Sequence, residues 1–385
     1  MPKFQSLEPA IDPNNRITFL LDWELTMKCN LDCSYCRTDL YGGHNNNTEH
    51  PPLKDCLETL DFLYQYADLY MERKPKGLRY VILNVYGGEA LHHPDITEIL
   101  SQARKLYEPY RDRWQLTITT TTNAIVSRNK MDRIIPLIDE FTVSYHAENT
   151  HKQLGLFKSN LLAIKQAGVR QKCVVLMHDR PDLFEDAKNM IAWLESNDVK
   201  YLPRHLDNIS NNPQINPRKP VENPSGTYNQ QQITWFNSLY QKKSYGSVDS
   251  IETDADKKLL SAVGRACCGG RQTCQDQDYQ NRKFYVMDNR FPDWYCSVNW
   301  FFVFVKQLTK EVFVNKDCKM NFKGEVGPIG MLDNTKEILE DLKVRLATGT
   351  LNTIQCKKDA CVCGLCAPKA ATKEIYQSII KKYQI

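Results

Sequence analysis

The sequence reads Cys29-Asn30-Leu31-Asp32-Cys33-Ser34-Tyr35-Cys36 directly after an extended, apolar-rich segment, residues 17–26. Three cysteines therefore stand in the spacing C-x-x-x-C-x-x-C. A structural zinc site uses four ligands, commonly as two pairs. A compact trio instead suits three irons of a [4Fe-4S] cluster and leaves the fourth iron open for a ligand that is not protein. A zinc knuckle or a chance cluster of cysteines is the alternative interpretation.

This motif, with Tyr35 directly before its last cysteine, resembles the signature of the radical S-adenosylmethionine (SAM) superfamily. The resemblance implies that Cys29, Cys33 and Cys36 hold a [4Fe-4S] cluster whose fourth iron binds SAM, and it places Tyr35 among the cofactor-binding residues. It also implies reductive cleavage of SAM to methionine and a 5′-deoxyadenosyl radical, which abstracts a hydrogen atom from a substrate. The protein itself would position the cofactor and substrate, exclude water from the site and tune the reactivity of the cofactor.

Composition and charge are those of an ordinary globular protein. The chain has 385 residues, of which 42% are hydrophobic and 25% charged, with a formal net charge of +4. The sequence pI of about 8.3 falls short of the value above about 9 that is typical of a nucleic-acid-binding domain. The charge permits anionic substrates and indicates nothing more specific.

The cysteine content indicates a reducing compartment. There are fourteen cysteines, but the start of the chain, residues 1–6, has no apolar signal segment. The longest apolar run, residues 300–305, is far shorter than the ~20 residues that a membrane helix needs. We therefore expect a cytoplasmic protein (in the host cytoplasm if the protein is viral), no membrane partner, and cysteines that mostly bind metal.

Strands and helices alternate through the first half of the chain, which predicts βαβ units and a parallel sheet. Six such units resemble the partial (βα)6 barrel of the radical SAM core, so the predicted fold class is α/β. Ligands of parallel barrels collect at the carboxyl ends of the strands. The predicted strands are 17–26, 80–86, 115–122, 141–145, 172–177 and 199–202, and the predicted helices are 53–70, 96–107, 131–138, 160–167 and 182–196.

The composition changes along the chain predict four regions. Residues 1–206 form the radical SAM core. Residues 207–262 are a polar connector or lid, rich in Asn, Pro, Gln and Ser, with a short helix at 233–242. Residues 263–370 form a smaller, cysteine-rich α+β domain, and residues 371–385 form a C-terminal helix.

The turn Tyr86-Gly87-Gly88-Glu89 follows the second predicted strand. Two glycines allow a close approach of the backbone to a ligand, and a neighbouring carboxylate can pair with an ammonium group. The turn resembles the Gly-Gly-Glu motif with which radical SAM enzymes hold the amino group of SAM. Gly87, Gly88 and Glu89 are therefore cofactor-binding candidates, and a plain strand-to-loop turn is the alternative.

The third and fourth predicted strands end in further cofactor-binding candidates. Asn123 belongs to a Thr-Asn-Ala sequence that resembles the family's Thr-Asn-Gly, with Ala124 in place of glycine. Asn123 could bind a ribose or a substrate, or could simply cap a turn. Ser144 stands where family members often place a ribose-binding residue.

Three residues near strand ends are candidates for catalysis. His146 and Glu148 follow the fourth strand and could bind substrate or relay a proton. Arg204 follows the sixth strand, where a guanidinium suits a carboxylate or phosphate. A loop histidine without a special role and a solvated charge at the rim are the alternatives.

Nine of the cysteines fall in the C-terminal region, which resembles the SPASM and twitch domains that carry one or two auxiliary [4Fe-4S] clusters. A structural zinc is the alternative. The residues 267, 268 and 274, all cysteines, lie in a loop that could close over substrate or add further ligands. The expected ligands are Cys296, Cys318, Cys363 and Cys366, with Cys356 and Cys361 as alternates or as ligands of a second cluster.

Three functions remain open at this point. In the first, the enzyme modifies a nucleoside, the best guess being an isomerisation of an amino-acid-decorated thymidine in DNA, on a loose similarity to radical SAM proteins of tailed phages. In the second, it matures a peptide. In the third, it is a non-catalytic iron–sulfur electron carrier, which the SAM-type Gly-Gly-Glu turn argues against. Both enzymatic functions require a low-potential electron donor such as a flavodoxin or ferredoxin.

Overall fold

The computed structural model describes residues 6–7, 17–33, 36, 49–73, 79–177, 180, 183–205, 229–241, 293–316, 321–351, 354–356 and 369–383. Within them, thirteen strands and eight α-helices follow one another along the chain. The strands are β1 Ser6–Leu7, β2 Ile17–Thr26, β3 Arg79–Gly87, β4 Gln115–Thr122, β5 Glu140–His146, β6 Arg170–Met177, β7 Tyr201–His205, β8 Tyr295–Cys296, β9 Phe302–Lys306, β10 Glu311–Phe313, β11 Gly330–Met331, β12 Ile354–Gln355 and β13 Lys369–Ala370. The helices are α1 Leu53–Met71, α2 Ile96–Tyr107, α3 Arg128–Ile134, α4 His151–Gln166, α5 Phe184–Ser196, α6 Gln230–Gln241, α7 Thr335–Thr348 and α8 Lys373–Tyr383.

The fold is α/β, and its main sheet has nine strands in the order β11-β10-β9-β2-β3-β4-β5-β6-β7. Strands β2 to β7 are parallel and lie side by side in chain order, with a helix between each successive pair. This is the arrangement of a partial (βα)6 barrel, because every strand points the same way and its carboxyl end reaches the same rim.

The two faces of β2 differ in polarity. Phe19, Leu21 and Trp23 are fully buried on the outer face, where the ring of Phe19 lies 4.6 Å from that of Tyr70 on α1. Burial of each such large apolar side chain contributes roughly 1.5–3 kcal/mol. The residues between them point to the inner face and include Asp22. Because the side chains of a strand alternate between its two faces, β2 has an apolar outer face and a polar inner face.

The C-terminal region contributes to two sheets. Strand β9 pairs in parallel with β2, and β10 and β11 extend that edge antiparallel. A second, four-stranded antiparallel sheet has the order β1-β13-β8-β12 and packs against α8, whereas α7 packs against α1. Strand pairing therefore joins the predicted region 1–206 to the predicted region 263–370 at two places.

Several element boundaries differ from the predictions, and three of the differences have a local cause. Helix α4 begins at His151, well before the predicted 160, because Thr150 forms a capping box with Gln153. Helix α3 begins at Arg128, where Ser127 caps it. Strand β7 lies at Tyr201–His205 instead of 199–202; it is an edge strand, and edge strands tolerate a proline such as Pro203.

Candidate functional site

The cysteine trio follows β2 at the carboxyl rim of the parallel sheet. The Leu31 N–H donates to Cys29 Sγ at 3.4 Å, and the Cys36 N–H donates to the Cys33 carbonyl oxygen at 3.0 Å. Cys33 is buried, Cys29 and Cys36 are partly exposed, and none of the three forms a disulfide. The turn thus presents three thiols within one short loop, while Tyr35 lies outside the described residues.

The electrostatics at Cys29 and Cys36 favour the neutral thiol. Burial raises the pKa of Cys29 to about 11, with smaller contributions from Glu89 and Cys36. Burial, followed by the charge of Asp32, also raises the pKa of Cys36. Because thiolates are the metal-binding form, loading the trio must displace protons. Among the described residues, no group of three His, Cys, Asp or Glu side chains is placed to bind a single metal ion.

Gly87 and Gly88 hold the end of β3 against the backbone that leads into the trio. A Cβ on Gly87 would overlap the Thr26 carbonyl oxygen, and a Cβ on Gly88 would lie 2.7 Å from the Lys28 carbonyl oxygen. The Gly88 N–H donates to Thr26 O at 2.8 Å. Both glycines are therefore required by a close backbone approach within the chain, and this approach fixes where the cysteine turn starts.

The Glu89 carboxylate is buried and binds three donors from the chain itself. Its Oε1 accepts from Leu91 N–H (3.0 Å) and from Thr122 Oγ1 (2.7 Å), and its Oε2 accepts from Asn123 N–H (2.6 Å). Burial raises the pKa of Glu89, and these hydrogen bonds oppose the rise. The glutamate therefore ties the end of β3 to the end of β4, beside the cysteine turn.

Asn123 links the end of β4 to the cysteine turn. Its Nδ2 donates to Asn30 Oδ1 at 2.8 Å, and its Oδ1 accepts from Ile125 N–H at 2.9 Å. Asn30 in turn donates to the Ile125 carbonyl oxygen. Ala124, which stands where the resembled motif has glycine, has φ 55°, a left-handed conformation that glycine adopts without strain. Through these contacts Asn123 caps the turn that follows β4.

The end of β5 reaches the trio through His146, whose Nδ1 lies 3.5 Å from Cys33 Sγ. Ser144 is partly buried and alternates with apolar residues, so it shares the inner face with His146. Glu148 follows in the next turn and is also partly buried. Arg204 lies in β7, beside Leu176 of β6.

Two of the predicted auxiliary ligands lie on adjacent strands of the small sheet. Cys296 in β8 is paired with Ile354 of β12, and Cys356 follows β12 directly. The Cys356 N–H donates to Trp294 O at 2.9 Å, so the pairing continues past the strand. Both are buried and form no disulfide, and they lie on one face as diagonal neighbours. The other four candidate ligands and the three loop cysteines lie outside the described residues, namely Cys318, Cys361, Cys363 and Cys366, and Cys267, Cys268 and Cys274.

The sequence analysis missed a buried polar ladder on the inner face. Asn84 Nδ2 donates to Asp22 Oδ1 (2.7 Å), and Thr119 Oγ1 donates to Asn84 Oδ1 (3.1 Å). The Tyr86 hydroxyl donates to Asp22 Oδ2 at 3.1 Å, and Lys316 lies over the Tyr86 ring. Burial raises the pKa of Asp22, and Lys316 opposes the rise. A carboxylate inside an otherwise apolar strand was the signal available in the sequence.

Comparison with known proteins gives matches to solved structures alone. No model of a protein family matches the sequence, and no curated protein matches it. SuiB of Streptococcus suis bound to S-adenosylmethionine is 11% identical over 77% of this chain and 60% of its own, with a TM-score of 0.41. SuiB bound to the precursor peptide SuiA is 10% identical over 77% of this chain and 59% of its own, with a TM-score of 0.42. Native anSMEcpe with bound AdoMet and Cp18Cys peptide is 11% identical over 96% of both chains, with a TM-score of 0.47.

This chain thus spans about 60% of the length of the SuiB structures. At these sequence identities and TM-scores, the similarity to SuiB and anSMEcpe is not evidence for the activity of this chain. The chain resembles radical SAM enzymes. Its cysteine spacing, its Gly-Gly-Glu turn and its six parallel strands in chain order carry that resemblance. Within the described residues, no helix has both the length and the apolar character needed to cross a bilayer.

Proposed function

We propose that this chain is a radical SAM enzyme. The observation that carries the proposal is the convergence of three strand ends on the cysteine turn. The end of β3 contacts the backbone that leads into this turn through Gly88 and Glu89, and the ends of β4 and β5 contact the turn itself through Asn123 and His146. Parallel barrels build their sites at this rim.

The trio suits a [4Fe-4S] cluster with SAM. Three thiols in one short turn provide three ligands, and the fourth position is left for SAM, so Cys29, Cys33 and Cys36 would hold the cluster. When bound, the cluster supplies the electron that splits SAM into methionine and a 5′-deoxyadenosyl radical able to remove a hydrogen atom from a substrate.

The surrounding residues position the trio and shield it from water. Gly87 and Gly88 fix the entry of the turn by backbone contact, and Asn123 fixes Asn30 inside it. Glu89 holds the rim together from a fully buried position. Ser144, Glu148 and Arg204, which come from the same rim, are the residues we propose for binding SAM or substrate.

We further propose that the C-terminal region holds at least one auxiliary [4Fe-4S] cluster. Cys296 and Cys356 support this as buried diagonal neighbours that form no disulfide, and we propose Cys356 as a ligand together with Cys296. The remaining ligands would come from Cys318, Cys361, Cys363 and Cys366. Anaerobic reconstitution of Cys356→Ala should yield less iron per chain than Cys173→Ala, a buried cysteine of β6. Equal iron in the two variants would exclude Cys356.

Two substrate classes are proposed for testing. The first is an amino-acid-decorated thymidine in DNA, rearranged by an isomerase-type reaction. The second is a peptide, which would make the chain a maturase and its reaction an oxidation. Two of the structures compared above contain a bound peptide, SuiA in SuiB and Cp18Cys in anSMEcpe. The inner-face ladder, with carboxylate, amide and phenol groups, offers polar contacts to either class.

Deuterium transfer distinguishes the two classes. The reconstituted enzyme is incubated with SAM and a reductant, in one tube with deuterated, amino-acid-modified thymidine DNA and in the other with a deuterated peptide pool. Mass spectrometry of 5′-deoxyadenosine then reports the abstracted atom. Deuterium from the DNA alone would establish nucleoside modification, and deuterium from peptides alone would establish the maturase. A reconstituted protein that leaves SAM intact would be an electron carrier instead.

A further inference from the structure

The inner face of the main sheet carries a lysine that comes from the C-terminal region. Lys316 follows β10 in the chain, and its Nζ lies 5.1 Å from the centre of the Tyr86 ring on β3. Tyr86, Phe304 and Phe313 form a small buried aromatic cluster, separate from the main apolar core, in which the two phenylalanine rings stack at 6.1 Å. Strands β9 and β10 thus bring a positive charge to an aromatic surface of the core.

The charge of Lys316 acts on a buried carboxylate beside that surface. Asp22 is only 6% exposed and is paired with Phe304 in the strand register. Its two oxygens accept from Asn84 Nδ2 at 2.7 Å and from the Tyr86 hydroxyl at 3.1 Å. Burial raises the pKa of Asp22, and the positive charge of Lys316 is the largest effect that opposes the rise. Asp22 therefore holds the Tyr86 ring by its hydroxyl and attracts the ammonium group that lies over this ring.

Stability alone does not account for these charges. A buried ion pair is often no more stabilising than apolar side chains of similar volume, because both ions lose their hydration. Phe304 and Phe313 show that apolar side chains fit on this part of the inner face. A buried carboxylate with a raised pKa and a specific charged neighbour is typical of a binding or catalytic site. Ligand binding explains the lysine better than stability does.

The lysine is linked in the chain to both proposed metal sites. Tyr86 directly precedes the two glycines that pack against the backbone leading into the cysteine turn. Lys316 lies two residues before Cys318, a proposed ligand of the auxiliary cluster. A group bound by Lys316 would therefore lie on the inner face close to the strand end that supports the cysteine trio.

We propose that Lys316 binds a carboxylate group of the substrate and thereby determines the specificity of the reaction. The inference rests on the proposed function and deepens it, because both proposed substrates can carry such a group, on the amino acid attached to thymidine or on an acidic residue of a peptide. An ammonium has three N–H donors, enough to serve a neighbour in the chain and a ligand together. A backbone phosphate of DNA suits the position less well, because nucleic-acid binding relies on several cations along the strand.

The test compares acids with the corresponding amides. The full-length, reconstituted protein with SAM is titrated with thymidine DNA that carries an amino acid with a free carboxylate, and with the same DNA after conversion of that carboxylate to a primary amide. A second arm uses a pool of glutamate-containing peptides with amidated C-termini and the same pool with glutamine in place of glutamate. In one of the arms we expect the wild-type protein to bind the acid at least about tenfold more tightly than the amide, because a site built around a charged group rejects an analogue that cannot pair with it.

Three variants assign the effect to Lys316. Lys316→Met should bind the acid about tenfold more weakly than the wild-type protein does and bind the amide equally well, so that the preference disappears. Lys316→Arg keeps the charge and should keep the preference. Lys310→Met is the matched control, because Lys310 lies in the turn between β9 and β10 and binds the exposed Asp333 at 2.8 Å. Its preference for the acid should equal that of the wild-type protein.

The outcomes separate the carboxylate site from the proposed function. Equal affinities for acid and amide in both arms, or a preference for the acid that survives Lys316→Met, would overturn the inference. A Lys316-dependent preference would support it, and the arm in which the preference occurs identifies the source of the carboxylate. These affinities do not require turnover. A wild-type protein that leaves SAM intact with dithionite would therefore overturn the proposed function, while a Lys316-dependent preference would still support the carboxylate site.

Discussion

At the scale of single residues, Glu89 shows how the site is held together. The sequence indicates a cofactor-binding glutamate, because the Gly-Gly-Glu turn resembles a SAM-binding motif. In the structure, its two carboxylate oxygens accept hydrogen bonds from Leu91, Thr122 and Asn123, and the residue is only 1% exposed. The resemblance located the residue, but two of its three partners, Thr122 and Asn123, lie at the end of β4, which is distant in sequence and could not be assigned in advance.

Replacement of Glu89 by Gln should destabilise the protein. A glutamine side chain keeps one acceptor oxygen, and its amide nitrogen cannot accept a hydrogen bond. The N–H of either Leu91 or Asn123 is therefore left without an acceptor in a buried position. The expected loss is about 1–3 kcal/mol in the free energy of unfolding. Anaerobic denaturant titration measures it, with the exposed Glu98→Gln as the control. Equal midpoints for the two variants would show that the buried hydrogen bonds contribute little.

His146 should tune the cluster held by the trio. Its Nδ1 lies 3.5 Å from Cys33 Sγ, and a hydrogen bond to a cluster sulfur stabilises the reduced, more negative state. His146→Leu should therefore shift the reduction potential of that cluster to a more negative value. An EPR-monitored redox titration provides the measurement, with the exposed His151→Leu as control. A potential unchanged from wild type would argue against this contact in the loaded protein.

At the scale of elements, the strand pattern was predictable where periodicity is strong and local. Strands β2 and β4 and helix α2 have the predicted bounds, because runs of β-branched residues or helical apolar spacing define them. The early start of α4 was missed, since its first turns are polar and are set by the Thr150 cap. The two-residue strand β1 was also missed, because it exists only through its pairing with β13.

Asn160 on α4 supports the turn that carries Asn123. Its Nδ2 donates to the carbonyl oxygens of Ala124 and Val126, both at 2.8 Å, and the residue is fully buried. Asn160→Asp would set an oxygen against these two acceptors, and we expect a loss of at least about 2–3 kcal/mol. Thermal unfolding, with the exposed Asn129→Asp as control, tests this. An equal melting temperature for both variants would show that the turn does not depend on α4.

At the scale of the whole molecule, the sequence predicted an α/β core and a cysteine-rich C-terminal region, and the structure shows the α/β and α+β parts. The way they connect was not predictable. Strand β9 pairs with β2 although the two are far apart in the chain, and the Trp23 indole donates at 2.9 Å to Oε1 of Gln307, 284 residues away. Such contacts depend on long-range strand pairing. The apolar run 300–305 predicts a strand, but it indicates neither the strand with which it pairs nor whether the pairing is parallel.

Cleavage of SAM is the measurement that tests the central claim most directly. The anaerobically reconstituted protein is reduced with dithionite, and 5′-deoxyadenosine and methionine are quantified by mass spectrometry. We expect the wild-type protein and Cys56→Ala, which alters a buried cysteine outside the trio, to form both products in equal amounts. Cys33→Ala should form neither. Products from Cys33→Ala at the wild-type level, or none from a wild-type protein that carries its iron, would contradict the assignment of a radical SAM site to this cysteine turn.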